Sequence, residues 1–277
     1  QNNFYLKIAK NFLRYQWILL YLFSATPTVE EKYFSGKNLK VYTTVIPDKI
    51  YYLADDVGCP VIDYDALFDK VSKEVDAKFI NIADKLTLDS YYTTDTHWKE
   101  SKIVPVADKL LEAMNAAKNE ALSQAATLSP FYGVYYGQSA LPLAPDSVEY
   151  LLSERLKNAT VLRADKTTKK LTEAKLYYEE KINAGDPYDI FLGGACTVTV
   201  IQNTGKTNGK TLYLFSDSFG RSLAPLLLSD YDKVVFYDIR YIRMSQALEI
   251  MPIEPGSDVL MAYNISAIAV SSNLQVD

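Results

Sequence analysis

The chain of 277 residues has a single histidine, His97, and only two cysteines, Cys59 and Cys196. Two cysteines are too few for a disulfide framework and lack the spacing of paired zinc ligands. Nothing in the sequence requires them to pair with each other. One histidine among scattered carboxylates gives no ligand cluster, so neither a metal nor another cofactor is expected. Positive charge is also scarce. The formal net charge is −5, and Asp165–Lys170 (DKTTKK) reads as a hairpin turn instead of a basic patch. A nucleic-acid partner, which needs a basic surface to replace phosphate counterions, is therefore not expected. Long apolar runs are missing too: residues 12–23 (FLRYQWILLYLF) are too short for a membrane span and are broken by Arg14 and Gln16. They read as an amphipathic packing segment. There is no internal repeat and no low-complexity stretch.

Tyrosine, at 22 residues, is the abundant type. Its ring joins an apolar face to a hydroxyl, which suits carbohydrate or peptide contacts as well as packing in strands. Five short apolar runs stand out: Val41–Ile46, Phe79–Ile82, Leu212–Phe215, Val234–Tyr237 and Val259–Tyr263. Their β-branched and aromatic content, without clean alternation, is that of strands buried on both faces. Between them, Asp63–Val75 and Ile103–Met114 carry apolar residues at four-residue steps, as helices do. The alternation predicts a three-layer α/β/α fold around a mainly parallel sheet. Residues 128–195, with the aromatic run Phe131–Tyr136 and a β-hairpin at 160–178, read as a β-rich insertion into one domain spanning 1–277. Residues 1–38 have no role that the pattern assigns.

Two segments carry chemistry. Ser216-Asp217-Ser218-Phe219-Gly220 follows a strand and precedes an apolar helical run. Ser218 therefore falls at the carboxyl edge of the sheet, where open α/β folds bind ligands. The N–H groups that open the helix can stabilise an oxyanion; these same residue types also serve as plain helix caps. The second segment is Thr94-Asp95-Thr96-His97-Trp98. A serine needs a base to become a nucleophile, and His97 is the one imidazole the chain has. Asp95, two residues upstream, can orient that ring; alternatively it caps a helix starting near Lys99 while His97 and Trp98 pack beneath it. Asp238 and Arg240, at the end of the next strand, fall on the rim of the same edge. There Arg240 either holds a carboxylate or a sugar hydroxyl or forms an internal salt bridge to Asp238 or another acid.

The stretch YYTTDTHW resembles the defining motif of the DHHW family, and LYLFSDSFGRSLAPLL with KVVFYDIRYI resembles its later D-S-[FY]-G and D-[LI]-R-Y elements. VYTTVIPDKIYYL (41–53), YDIFLGG (188–194) and SDVLMAYN (257–264) extend the likeness in the same order over most of residues 39–270. Thr96 stands in place of the first histidine of D-H-H-W and Lys99 where threonine is common, and no SGNH-type glycine or asparagine block is recognisable. The resemblance implies an SGNH hydrolase-like fold related to the alginate O-acetyltransferase proteins of bacterial envelopes. It implies Ser218 as nucleophile, His97 as base and Asp95 as the orienting acid. Gly193 or Gly194, unless the glycine pair simply makes a turn, and Phe219 are the backbone candidates for an oxyanion site, and Arg240 is the side-chain candidate for substrate. The implied function is an extracytoplasmic O-acetyltransferase or esterase acting on a cell-envelope polysaccharide or another acyl ester through an acyl-serine. A membrane-bound acyltransferase is the implied partner. The rival reading is a non-catalytic carbohydrate-binding or scaffold module on the same fold.

Overall fold

The structure, a computed structural model, describes residues 30–54, 58, 61–139, 142–165, 168–205, 208–269 and 274–276. Cys59 and the segment 12–23 lie outside the described residues.

Ten strands are present among these residues: β1 (Lys40–Ile46), β2 (Lys78–Phe79), β3 (Ser123–Phe131), β4 (Asp146–Leu152), β5 (Thr160–Ala164), β6 (Leu171–Ala174), β7 (Val198–Gln202), β8 (Thr211–Ser216), β9 (Lys233–Tyr237) and β10 (Asp258–Asn264). Eight form one sheet in the order β2-β1-β10-β8-β9-β7-β5-β6, and β3 pairs with β4 apart from it. The five strands expected from apolar composition, β2, β1, β10, β8 and β9, are neighbours and mutually parallel. The remaining strands, β7, β5 and β6, continue the sheet antiparallel. The mainly parallel α/β architecture read from the sequence is thus the one observed.

Successive residues of the central strands serve opposite layers. On β8, Leu212 and Leu214 pack with Leu110 and Leu223 from helices Val104–Ala113 and Gly220–Leu227. Tyr213 and Phe215 face the other way, onto Leu67 and Ala247 from helices Tyr64–Glu74 and Met244–Ile250. Burial on both faces is why β8 and β9 read as unbroken apolar runs.

Two expectations need correction. The run 79–82 is strand only at Lys78–Phe79, because the Asn81 side chain accepts the Ala83 N–H at 2.9 Å and turns the chain into a short 3-10 segment. The insertion expected at 128–195 also divides. Only the β3–β4 hairpin stands outside the main sheet, whereas β5 and β6, the hairpin foreseen at 160–178, extend its antiparallel edge.

Candidate active site

β8 ends at Ser216, and the next three residues make a tight turn into helix Gly220–Leu227. Asp217 fixes this turn. One carboxylate oxygen accepts the Phe219 N–H at 2.9 Å, the other accepts the Asn264 N–H at 2.7 Å, and its carbonyl accepts the Gly220 N–H at 3.0 Å. Burial raises the Asp217 pKa, against the nearby Arg240 charge and these two N–H groups. Gly220 is required by close approach: a Cβ there would lie 2.5 Å from the Ser216 side chain and 2.7 Å from the Phe236 ring. The turn leaves Ser218 half-buried at the carboxyl end of β8.

The other segment folds back beside it. Tyr91 and Trp98 form an isolated antiparallel bridge, so residues 92–97 make a loop. The His97 Nε2 lies 2.8 Å from Ser218 Oγ, and His97 Nδ1 lies 2.5 Å from Asp95 Oδ1. A carboxylate only accepts, so Nδ1 carries the ring proton and Nε2 is left to accept the Ser218 hydroxyl proton. Asp95 is fully buried and accepts two further bonds, from its neighbour His97 N–H to Oδ1 and from Val134 N–H to Oδ2, each at 2.9 Å. Burial alone would push its pKa up; the imidazole hydrogen bond, the imidazole charge and the two backbone N–H groups outweigh this and hold it below the usual carboxylate value. Asp95 is not a helix cap, since the short 3-10 segment Glu100–Lys102 starts from Lys99. Ser218, His97 and Asp95 thus meet in one hydrogen-bonded chain across 121 residues of sequence.

The surroundings hold the imidazole still. The Tyr188 ring stacks on it, with centroids 3.8 Å apart and planes 3° from parallel, and the Phe219 ring tilts against it at 4.8 Å. Trp98 Nε1 donates to the Phe219 carbonyl at 3.2 Å and to Ser222 Oγ at 2.9 Å, and the Tyr188 hydroxyl meets the same Oγ at 2.7 Å. These bonds lock the histidine loop to the serine helix. Neither Tyr188 nor Val134 was singled out by sequence reasoning. Tyr188 opens YDIFLGG, a stretch with family likeness, whereas Val134 acts through its main chain and leaves no side-chain signal.

The remaining candidates have other engagements. Phe219 N–H donates to Asp217 and Gly194 N–H donates to the Phe191 carbonyl at 3.2 Å, so neither amide is available to an oxyanion. Gly194 is needed for space, since its Cβ would lie 2.2 Å from the Asp189 carboxyl, which itself accepts from Arg221 Nη1 at 2.9 Å. Arg240 forms a two-pronged pair with the buried Asp238, at 2.8 and 2.6 Å. Of the two roles open to Arg240, the ion pair is the one present. Among the described residues no cluster of three or more metal-ligating side chains occurs, and no helix is long and apolar enough to cross a membrane.

Comparison with known proteins divides the chain. A family model for glutamate–cysteine ligase matches residues 1–58. The glutathione biosynthesis bifunctional protein GshAB of Mannheimia succiniciproducens is 76% identical over 41 residues, and that of Pasteurella multocida is 79% identical over 34. These stretches are 14% and 12% of this chain but only 5% and 4% of those proteins. The chain therefore spans a small fraction of the curated relatives it matches, and Asp95, His97 and Ser218 all lie beyond residue 58. The fold is shared with a DHHW family protein of Eubacterium siraeum, at TM-score 0.74 and 19% identity, covering 95% of this chain and 90% of that one. Bacillus cereus PatB1, solved with a sulfonyl adduct, follows at TM-score 0.68 and 15% identity, covering 91% and 90%. The O-acetyltransferase domain of Pseudomonas putida AlgJ aligns at TM-score 0.51 and 13% identity, covering 95% and 86%. The resemblance read from YYTTDTHW and its companion motifs agrees with these neighbours.

Proposed function

We propose that the chain is an acyl-ester enzyme that forms an acyl-serine at Ser218 and passes the acyl group to a polysaccharide hydroxyl or to water. The observation that carries this reading is the continuous relay from Ser218 Oγ through His97 to Asp95, at 2.8 and 2.5 Å. His97 Nε2 removes the hydroxyl proton as Ser218 Oγ bonds to the acyl carbon. The carbonyl electrons move to oxygen and form an oxyanion. The Ser218 N–H, which donates to no acceptor among the described residues, faces this task without competition. Collapse of the intermediate breaks the bond to the donor oxygen, which leaves with the proton from Nε2. The second half repeats these steps with a sugar hydroxyl or water as attacker, and Ser218 recovers its proton. Asp95 stabilises the imidazolium throughout.

The fold shared with an O-acetyltransferase domain supports acetyl as the group and a hydroxyl oxygen as acceptor; that the hydroxyl is a saccharide's follows from the family resemblance of the sequence motifs. On this reading the protein works outside the cytoplasmic membrane and takes acyl groups from a membrane-bound acyltransferase. The test is turnover of p-nitrophenyl acetate by wild type and Ser218→Ala, with labelling by a serine-reactive phosphonate. Turnover and labelling lost together in the variant are expected. A well-folded wild type that neither turns over the ester nor takes the label would favour the non-catalytic scaffold reading instead.

A further inference from the structure

The β3–β4 hairpin stands outside the main sheet, yet its groups converge on the loop that carries Asp95. Asp146, the first residue of β4, reaches back to that loop. Its Oδ1 accepts the Thr93 N–H at 3.0 Å, and its Oδ2 accepts both the Thr94 N–H and the Thr94 hydroxyl at 2.7 Å. The Thr94 hydroxyl oxygen in turn accepts the Gly133 N–H at 3.1 Å, and the Thr94 carbonyl accepts the Tyr135 N–H at 2.9 Å. Gly133 itself presses on the acid, since a Cβ there would lie 2.3 Å from Asp95 Cβ and 2.6 Å from Oδ2.

The loop is held from its other side by Lys49, whose ammonium donates to the Tyr92 carbonyl at 2.5 Å and sits 4.7 Å from the Tyr135 ring centroid. The peptides before Asp95 are therefore fixed by a carboxylate on their N–H groups and by an ammonium on their carbonyls. With the Tyr92 N–H bonded to the His97 carbonyl at 3.1 Å, these contacts set the direction of the Asp95 Cα–Cβ bond. That direction decides whether Oδ1 meets Nδ1 of His97.

We propose that Asp146 is a positioning residue for the Ser218–His97–Asp95 site, so that the β3–β4 hairpin is a working part of that site. Its effect on turnover rests on the acyl-serine reading above; its effect on His97 does not.

The experiment uses the full chain with ¹⁵N-labelled histidine, in which His97 is the only imidazole. In the wild type the proton on Nδ1 gives one far-downfield resonance, as a short bond to a carboxylate requires. In Asp146→Ala this resonance is expected to weaken, with exchange between the Nδ1–H and Nε2–H tautomers. The kcat for p-nitrophenyl acetate should fall by about ten- to a hundredfold with KM little changed, the scale of a misplaced catalytic group. Leu156→Ala, a core truncation that removes none of the hydrogen bonds to this loop, should lower the melting temperature and leave the His97 spectrum intact. If Asp146→Ala does not fold, Thr94→Val removes the shared hydroxyl at nearly constant volume and should give the same spectral change, with Thr94→Ser restoring it. A folded Asp146→Ala or Thr94→Val protein with the wild-type His97 spectrum would overturn the proposal. A wild type without turnover whose His97 spectrum still responds to Asp146→Ala would support the positioning role and sink the acyl-serine reading.

Discussion

The His97 imidazole lies flat on the Tyr188 ring, 3.8 Å away and within 3° of parallel, while the Tyr188 hydroxyl is tied to Ser222 on the helix that follows Ser218. One tyrosine thus fixes the ring plane of the base and refers it to the nucleophile's own helix. Tyr188 is fully buried, so it also keeps water from that face of the imidazole.

Two substitutions separate the parts of this contact. Tyr188→Phe keeps the stack and loses one hydroxyl bond. Ser222 still accepts from Trp98, so a stability loss of about 1 kcal/mol and an ester turnover within about threefold of wild type are expected. Tyr188→Leu removes the flat partner and leaves a void, which should cost about 2–4 kcal/mol and slow turnover at least about tenfold as the ring gains freedom. Thermal melts and initial rates on the same preparations provide the check. Equal rates in the two variants would mean that Tyr188 only fills space.

Glu100 supplies a pH prediction. It is completely buried three residues after His97; its Oε2 accepts the Leu151 N–H at 2.8 Å and its Oε1 meets the Tyr177 hydroxyl at 3.0 Å. Burial raises its pKa from the ordinary 4.5 to about 8, against those two hydrogen bonds. The protonated form fits the network: Glu100 donates to Tyr177, and Tyr177 donates to the Leu151 carbonyl, also 3.0 Å away. Between pH 4.5 and 8 the folded chain keeps a proton that the unfolded chain has released. Stability therefore falls as pH rises through that window, by at most about 5 kcal/mol from this group. Glu100→Gln reproduces the protonated arrangement and should flatten the dependence, melting above wild type at pH 8. Parallel melting curves for the two proteins from pH 5 to 8 would refute this.

The sheet and the two ends of the relay were legible in the sequence for different reasons. β1, β8, β9 and β10 are buried on both faces, so each is nearly all apolar and reads as a strand without help from its neighbours. β7 (VTVIQ) is as apolar as these, but it lies just past the stretch 128–195 that reads as an insertion and pairs antiparallel with β9, and it went unread. Ser218 was visible because Asp217 and Gly220 are both needed to make its turn, leaving a compact D-S-F-G signature. Asp95 and His97 were visible because they are close in sequence and His97 has no competitor. What completes the site was not legible. Val134 contributes a backbone N–H and Asp146 acts from 52 residues beyond Thr94, so neither leaves a local pattern. Tyr188 looks like any other core aromatic until the fold brings it onto His97.

Asp95→Asn tests the far end of the relay, and the structure changes what it should cost. A helix cap would tolerate asparagine. Asp95 instead uses both carboxylate oxygens, Oδ1 for the His97 ring and backbone N–H and Oδ2 for the Val134 N–H. Asparagine has one acceptor oxygen. Its amide must face either the Val134 N–H, leaving a buried donor unpaired, or Nδ1 of His97, forcing the proton onto Nε2. Either choice leaves one buried backbone N–H unpaired, that of Val134 in the first and that of His97 in the second, and costs about 1–3 kcal/mol of stability. The second leaves Nε2 unable to accept from Ser218, and should lower turnover by about ten-thousandfold. The pH dependence carries a further signature. Because the folded-state pKa of Asp95 is depressed, its contribution to stability is full above the unfolded value of 3.8 and is lost as pH falls through the lower folded value. The stability gap between wild type and Asp95→Asn should therefore narrow in strong acid and stay constant from pH 5 upward. Chemical denaturation at pH 3 and pH 7, with ester turnover measured at pH 7, checks both effects. Full turnover in a folded Asp95→Asn protein would reduce the site to a Ser218–His97 dyad.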